Sequence, residues 1–180
     1  MIARNQQKLE QAEASTLQCA KAANKRILIK KISFDLSTPF SPEAYAPLFE
    51  ALASVPDVSI VVNNAGIGNI EPIVAIDYVS TNDLINVNVV ASVMVTRFLV
   101  DGMLKREREG VKGAVIFTNG LPAITRNAYL SAYAGSKAFI VAFAEAMNKE
   151  IGDKIDVFCA TAGGVATKDW HNNDTGTVTV

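Results

Sequence analysis

Val58-Ser59-Ile60-Val61-Val62-Asn63-Asn64-Ala65-Gly66 is a short apolar run that ends on turn chemistry. A continuous apolar segment of this length, closed by Asn and Gly, reads as a strand of a parallel sheet. Working outward, Ile27-Leu28-Ile29 and Ile32 to Phe34 lie in a strand ending near Asp35, and Met1 to Ala3 carry the last residues of another. Ala114 to Phe117 and Val157 to Ala160 are further strands. Helical patterns separate them. Gln6 to about Ala23 is a polar-faced helix. Ser41-Pro42 starts a second, running to about Ala53, with Pro at the first helical position, where an N–H is not needed. Ser80 or Thr81 begins a long helix through Leu84, Val87, Ala91, Val95 and Leu99, spaced for one apolar face. Lys105 to Glu109 end it in charge, and Gly110 stops it. A last helix spans about 132–150 and stops near Gly152. Strands alternating with helices predict βαβ units, hence an α/β fold with a doubly wound parallel sheet. The tail from Asp169 to Val180 shows no convincing element.

A chain of 180 residues can bury one good core, so residues 1–180 read as a single domain. Hydrophobic residues at 49% and charged residues at 19% suit a buried sheet. The formal net charge of −1 carries no basic excess, which argues against a nucleic-acid partner. Two cysteines, Cys19 and Cys159, are too few for a disulfide framework and read as packing residues. His171, the single histidine, has no His or Cys neighbour, so no metal site is expected. No uninterrupted apolar run reaches the ~18 residues of a membrane helix, and none is expected in this chain. Arg4 is not followed by an apolar stretch, so the start does not read as a signal peptide.

Tyr133 and Lys137, in Tyr133-Ala134-Gly135-Ser136-Lys137, fall at i and i+4 and share a helix face. A free tyrosine titrates near pH ~10, too high for ready proton exchange at neutral pH. A neighbouring ammonium favours phenolate and lowers that value. The phenol then serves a carbonyl as acid, or an alcohol as base. Taken alone, the pair is equally a partly buried Tyr and a surface Lys one turn apart. Asn63-Asn64-Ala65-Gly66 sits at a strand's carboxyl end, where open α/β sheets bind ligands, though Asn-Ala-Gly is also good turn chemistry. Asn88, in Val87-Asn88-Val89, is an amide in an apolar helical stretch, costly there unless hydrogen-bonded.

Tyr-x-x-x-Lys following Asn-Asn-Ala-Gly, in this order and at this distance, resembles the short-chain dehydrogenase/reductase family. The resemblance implies a Rossmann-like dinucleotide-binding domain and hydride transfer between a nicotinamide cofactor and a ketone or alcohol. It implies Tyr133 as acid/base, Lys137 lowering its pKa, and Asn88 holding a water that links Lys137 to solvent. For the cofactor, taken as NADP, it implies Arg4 near the 2′-phosphate, Asp35 near the adenine, and Asn64, Ala65 and Gly66 along its face. Tyr133 and Lys137 join them, with Val165 and Thr167 near the nicotinamide amide. Each of Arg4 and Asp35 is equally a solvated charge at a strand end, and Thr167 an ordinary loop hydroxyl. The resemblance also implies a possible homodimer through helices 80–108 and 132–150. Ala3 to Leu9 and Asn86-Val87-Asn88 with Thr96-Arg97 look like the steroid and 3-oxoacyl-CoA reductase subgroup. The cytoplasm is expected, with the endoplasmic reticulum as the alternative.

The sequence departs from the family pattern in four places. Ala162 stands where the family usually has Pro, before Gly163. The family's first strand and its Thr-Gly-x-x-x-Gly-x-Gly loop have no counterpart here, so weak cofactor binding is expected. The family's catalytic Ser aligns with Gly120 in Thr118-Asn119-Gly120-Leu121, with Thr118 and Ser131 as nearby hydroxyls. The family continues past the Thr167 region, so the chain reads as the middle of a longer member, truncated at both ends. An inactive binding or dimerisation module, or a gene fragment, is the competing reading. A Gly120→Ser change, with the first strand restored, is expected to raise ketone reduction.

Overall fold

Asn63 does end a strand, and that strand belongs to the best-formed part of the molecule. The computed structural model describes residues 1–107, 110, 112–163 and 177–179. Strands β3 (Ile60–Asn63), β5 (Gly113–Gly120) and β6 (Ile155–Ala162) form a parallel sheet in the order β3-β5-β6. In register, Val61 pairs with Val115 and Val115 with Val157. β5 has a neighbour on each side, so its backbone groups find partners along its length. Every second residue of β5 is buried, beginning with Gly113. Val61, Val115, Phe117 and Ile155 form the centre of the core.

Helices cover this sheet. Ser41 caps α2 (Pro42–Ala53), its hydroxyl accepting from Ala44 N at 3.1 Å. The long helical segment begins earlier than predicted, at Tyr78, because Asp77 takes the cap position and accepts from Ser80 N at 2.9 Å. It runs as α3 (Tyr78–Ile85), a π-turn (Asn86–Ala91) and α4 (Ser92–Glu107). Gly110 has φ +84°, suiting its role as a stop, while residues 108 and 109 lie outside the described residues. The segment Tyr78–Arg106 is long and apolar enough to cross a membrane, which a count of uninterrupted apolar runs misses. Leu84, Val87, Ala91, Val95 and Met103 on it are buried within this chain. A short α5 (Pro122–Thr125) precedes α6 (Ser131–Ile151), which packs on β5 and β6.

The other half of the sheet is much reduced. β1 (Ile2–Ala3) pairs in parallel with β2 (Ile32–Ser33), apart from the three-stranded sheet. The predicted strand over 27–34 therefore shrinks to two residues, and Leu28 is 94% exposed. A strand exists only where a neighbour bonds it, and β1 offers a two-residue partner. Between β1 and β3 opens a cleft of about 920 Å³, walled by Ile2, Leu28, Val58, Ile60 and Val62. Ile60 and Val62 remain 61% and 57% exposed on its rim, although their apolar run reads as buried strand.

One pairing was not predicted. β4 (Ile67–Asn69) runs antiparallel to β7 (Thr177–Thr179), within the tail that had shown no element. The first helix of the chain is α1 (Gln6–Ala22), capped by Asn5, whose side chain accepts from Lys8 N at 2.9 Å.

Candidate active site

Tyr133 and Lys137 lie on the first turns of α6, beside the carboxyl ends of β3 and β5. Lys137 is 5% exposed, and its ammonium donates to the Thr118 carbonyl oxygen at 3.1 Å. The same nitrogen lies 5.7 Å from the centre of the Tyr133 ring. A Cβ added at Gly66 would stand 3.2 Å from it, so the glycine leaves the lysine its room. Asn63-Asn64-Ala65-Gly66 and the Tyr133 helix thus meet at Gly66. The Tyr133 ring lies against Gly68, and its hydroxyl lies over Gly120 at the end of β5.

The electrostatics depart from expectation. Burial pushes the Tyr133 phenol above its ordinary value, and the ammonium does not reverse this. Its charge is directed at the Thr118 carbonyl rather than at the phenol oxygen. Burial also pushes Lys137 below its ordinary value, partly offset by its coulombic interaction with Cys159, whose own thiol is pushed upward by burial. The expected lowering of the Tyr133 pKa by Lys137 is therefore not present in this arrangement.

Asn88 is 2% exposed and sits inside the π-turn, where an extra residue per turn re-aims side chains. Its Oδ1 accepts from Ile67 N at 2.9 Å, and its Nδ2 donates to Ile67 O at 2.9 Å and to Ser136 Oγ at 3.0 Å. The amide behaves like a strand neighbour of Ile67 and holds β4 extended. Ser136 Oγ in turn donates to Tyr133 O at 2.7 Å. Asn88 is thereby tied through Ser136 to the helix that carries Tyr133.

Arg4 and Asp35, both lining the cleft, meet 3.6 Å apart, with both side chains substantially exposed. Burial raises the Asp35 pKa, but the Ser37 backbone N–H, the Ser37 hydroxyl and then Arg4 outweigh it, and the net direction is down. Asn64, Ala65 and Gly66 line the same cleft. The rest of the lining is mostly apolar, with Lys30 a further charged residue in it. Val165 and Thr167 lie outside the described residues.

Four participants were given no role in the sequence reading. Ser136 lies within the quoted Tyr-to-Lys motif, and its position one turn after Tyr133 was the available signal. Gly68 packs on Tyr133, and no local pattern announces that. Asn86 donates to Ser37 O at 2.9 Å and Asn63 to Thr96 Oγ1 at 2.9 Å, so each fastens one end of the cleft to the long helical segment.

A family model described as short chain dehydrogenase matches residues 1–177. The very-long-chain 3-oxoacyl-CoA reductase of Scheffersomyces stipitis is 26% identical over 156 residues, which are 84% of this chain and 43% of that protein. The protein of the same name from Laccaria bicolor is 32% identical over 110 residues, 60% of this chain and 31% of that one. L-Sorbose reductase from Gluconobacter frateurii, solved with NADPH and L-sorbose, superposes with a TM-score of 0.77 at 28% identity, covering 97% of this chain and 65% of that chain. This chain spans less than half the length of these two curated relatives. With the match running nearly from end to end and the Tyr133 helix seated at the strand ends, the chain belongs to the short-chain dehydrogenase family.

Proposed function

We propose that this chain serves an oxidoreductase that reduces a ketone, with Tyr133 as the proton donor and NADP as the cofactor. One observation carries the reading. Tyr133 and a buried Lys137 stand one helical turn apart, with the Lys137 ammonium against Gly66, which borders the cleft. When bound, the reduced cofactor would supply hydride to the carbonyl carbon. Tyr133 Oη gives its proton to the carbonyl oxygen, which completes the alcohol. A phenol pushed upward by burial is protonated at neutral pH, so it is set for the acid role and for the direction of reduction. Lys137 and Asn88 then serve proton return, Lys137 as the nearest cation and Asn88 through a bound water.

Arg4 and Asp35 would hold the adenosine end. Arg4 is exposed and its contact with Asp35 is loose, so it is free to turn to a 2′-phosphate, which favours NADP over NAD. The relatives' name favours a 3-oxoacyl thioester over a steroid ketone. A very long acyl chain is membrane-borne, which favours the endoplasmic reticulum over the cytoplasm. Phe98 and Phe139, exposed on α4 and α6, support a homodimer through residues 80–108 and 132–150.

The test follows NADPH absorbance with 3-oxoacyl thioesters and steroid ketones at high cofactor concentration. Tyr133→Phe is expected to lower the rate by about 10²–10⁴-fold. Absence of ketone-dependent NADPH loss, or a Tyr133→Phe variant at full rate, overturns the reading.

A further inference from the structure

We infer that Gly68 and Gly120 form a two-sided slot that fixes the Tyr133 ring, so that both glycines are positioning residues for its hydroxyl. A Cβ built at Gly68 would lie 2.9 Å from Tyr133 Cδ2 and 3.2 Å from Cε2. A Cβ at Gly120 would lie 2.8 Å from Tyr133 Oη. Real side chains essentially never approach that closely, so either substitution forces the ring to move. The two glycines come from different elements, β4 and the end of β5, and touch different parts of the ring. Gly68 meets the ring carbons and Gly120 meets the hydroxyl. Neither has positive φ, so backbone conformation does not require glycine at these positions. Close approach does.

This inference rests on the reading of Tyr133 as the proton donor, and it refines that reading. The space over Gly120 is not free for a second hydroxyl, because the phenol already occupies it. Placing Ser at 120 displaces the Tyr133 hydroxyl before it adds another. The gain expected for Gly120→Ser with the first strand restored therefore requires the Tyr133 ring to shift first.

The experiment is a set of thermal melts with coupled variants of the whole chain. Gly68→Ala and Gly120→Ala should each lower Tm by about 3–10 °C. Gly135→Ala is the control. It sits on α6 with nothing within 4 Å of an added Cβ, and Ala in a helix should leave Tm equal or raised. In a Tyr133→Phe background the Gly120→Ala loss should fall by half or more, because the clashing oxygen is gone, while the Gly68→Ala loss persists. In a Tyr133→Ala background both losses should vanish. Equal losses in all backgrounds overturn the slot. If a single variant does not fold, recovery of folding in the Tyr133→Ala background supports the slot, and failure there overturns it.

A second readout separates positioning from mere packing. The Tyr133 phenol titration, assigned by difference from Tyr133→Phe, should shift by about half a pH unit or more in both glycine variants and stay put in Gly135→Ala. An unshifted midpoint overturns the positioning role. The melts and the titration need no turnover. Loss of the proposed ketone reduction would therefore sink the catalytic reading while leaving the slot to be judged on its own result.

Discussion

Ile27-Leu28-Ile29 and Val58-Ser59-Ile60-Val61-Val62 are similarly apolar, yet the molecule treats them differently. The second continues into β3, held by β5 along four residues. The first stays unpaired, with Leu28 94% exposed. Strand formation here follows from neighbours rather than from residue type. β5, flanked on both sides, reaches eight residues, whereas β1 and β2 manage two each. The cleft between the two sheets is where that difference is concentrated, and it is lined by the apolar side chains that a fuller sheet would cover.

The largest expected effect tests this contrast directly. Phe117 is 1% exposed in the middle of β5 and stacks edge-on against Phe143 at 5.8 Å. Phe117→Ala should cost about 3–5 kcal/mol in urea unfolding, through lost burial and the cavity left behind. Leu28→Ala on the unpaired side should stay within about 0.5 kcal/mol of the parent. Similar costs at the two positions would mean that residues 27–29 are buried in solution, and the contrast would collapse.

A smaller effect concerns how the reduced half is held. β2 leads into an aromatic cluster in which Tyr45 packs edge-on against Phe34 and Phe40, both at 5.1 Å. Tyr45 is fully buried, and its hydroxyl has no hydrogen-bond partner among the described residues. Burial pushes that phenol upward. The cluster's hold on β2 is therefore apolar, and the hydroxyl works against it. Tyr45→Phe should raise stability by about 1 kcal/mol, since removing an unpaired buried polar group relieves its desolvation cost. A loss of that size in the same unfolding assay would mean the hydroxyl is bonded and the account of this half is wrong.

The sequence exposed the features that are set locally. The helix start at Ser41, the 3.6-residue spacing of Leu84, Val87 and Ala91, and the Tyr133–Lys137 pairing are all matters of neighbours along the chain. Asn88 and Gly66 were legible because an amide in an apolar helix and a glycine after a strand are locally anomalous. The features it hid depend on what lies across space. The shortness of β2 depends on β1, β4 on the Asn88 amide, and the placement of Tyr133 on glycines from two other strands. The upward push on the Tyr133 phenol has the same origin. Sequence spacing puts Lys137 near the ring, but only the fold turns its ammonium toward the Thr118 carbonyl.

The smallest expected effect lies at the polar edge of the reduced half, and its sign follows from linkage. Asp35 has a folded pKa below its ordinary value. Its burial works the other way, and the Ser37 N–H at 3.0 Å and Ser37 hydroxyl at 2.9 Å outweigh it, with Arg4 adding less. A carboxylate with a depressed folded pKa binds fewer protons folded than unfolded between the two values. Its contribution is therefore complete above the unfolded value of ~3.9 and disappears as pH falls through the folded pKa. Asp35→Asn should be less stable than the parent at pH 7, and the gap should close below about pH 4. Arg4→Ala should leave most of that gap intact, because an exposed ion pair at 3.6 Å contributes little. Urea unfolding of the three proteins across this pH range measures both claims. If Arg4→Ala abolishes the gap, the ion pair rather than the Ser37 turn anchors this edge, and Arg4 is then committed to Asp35 instead of being free to meet a 2′-phosphate.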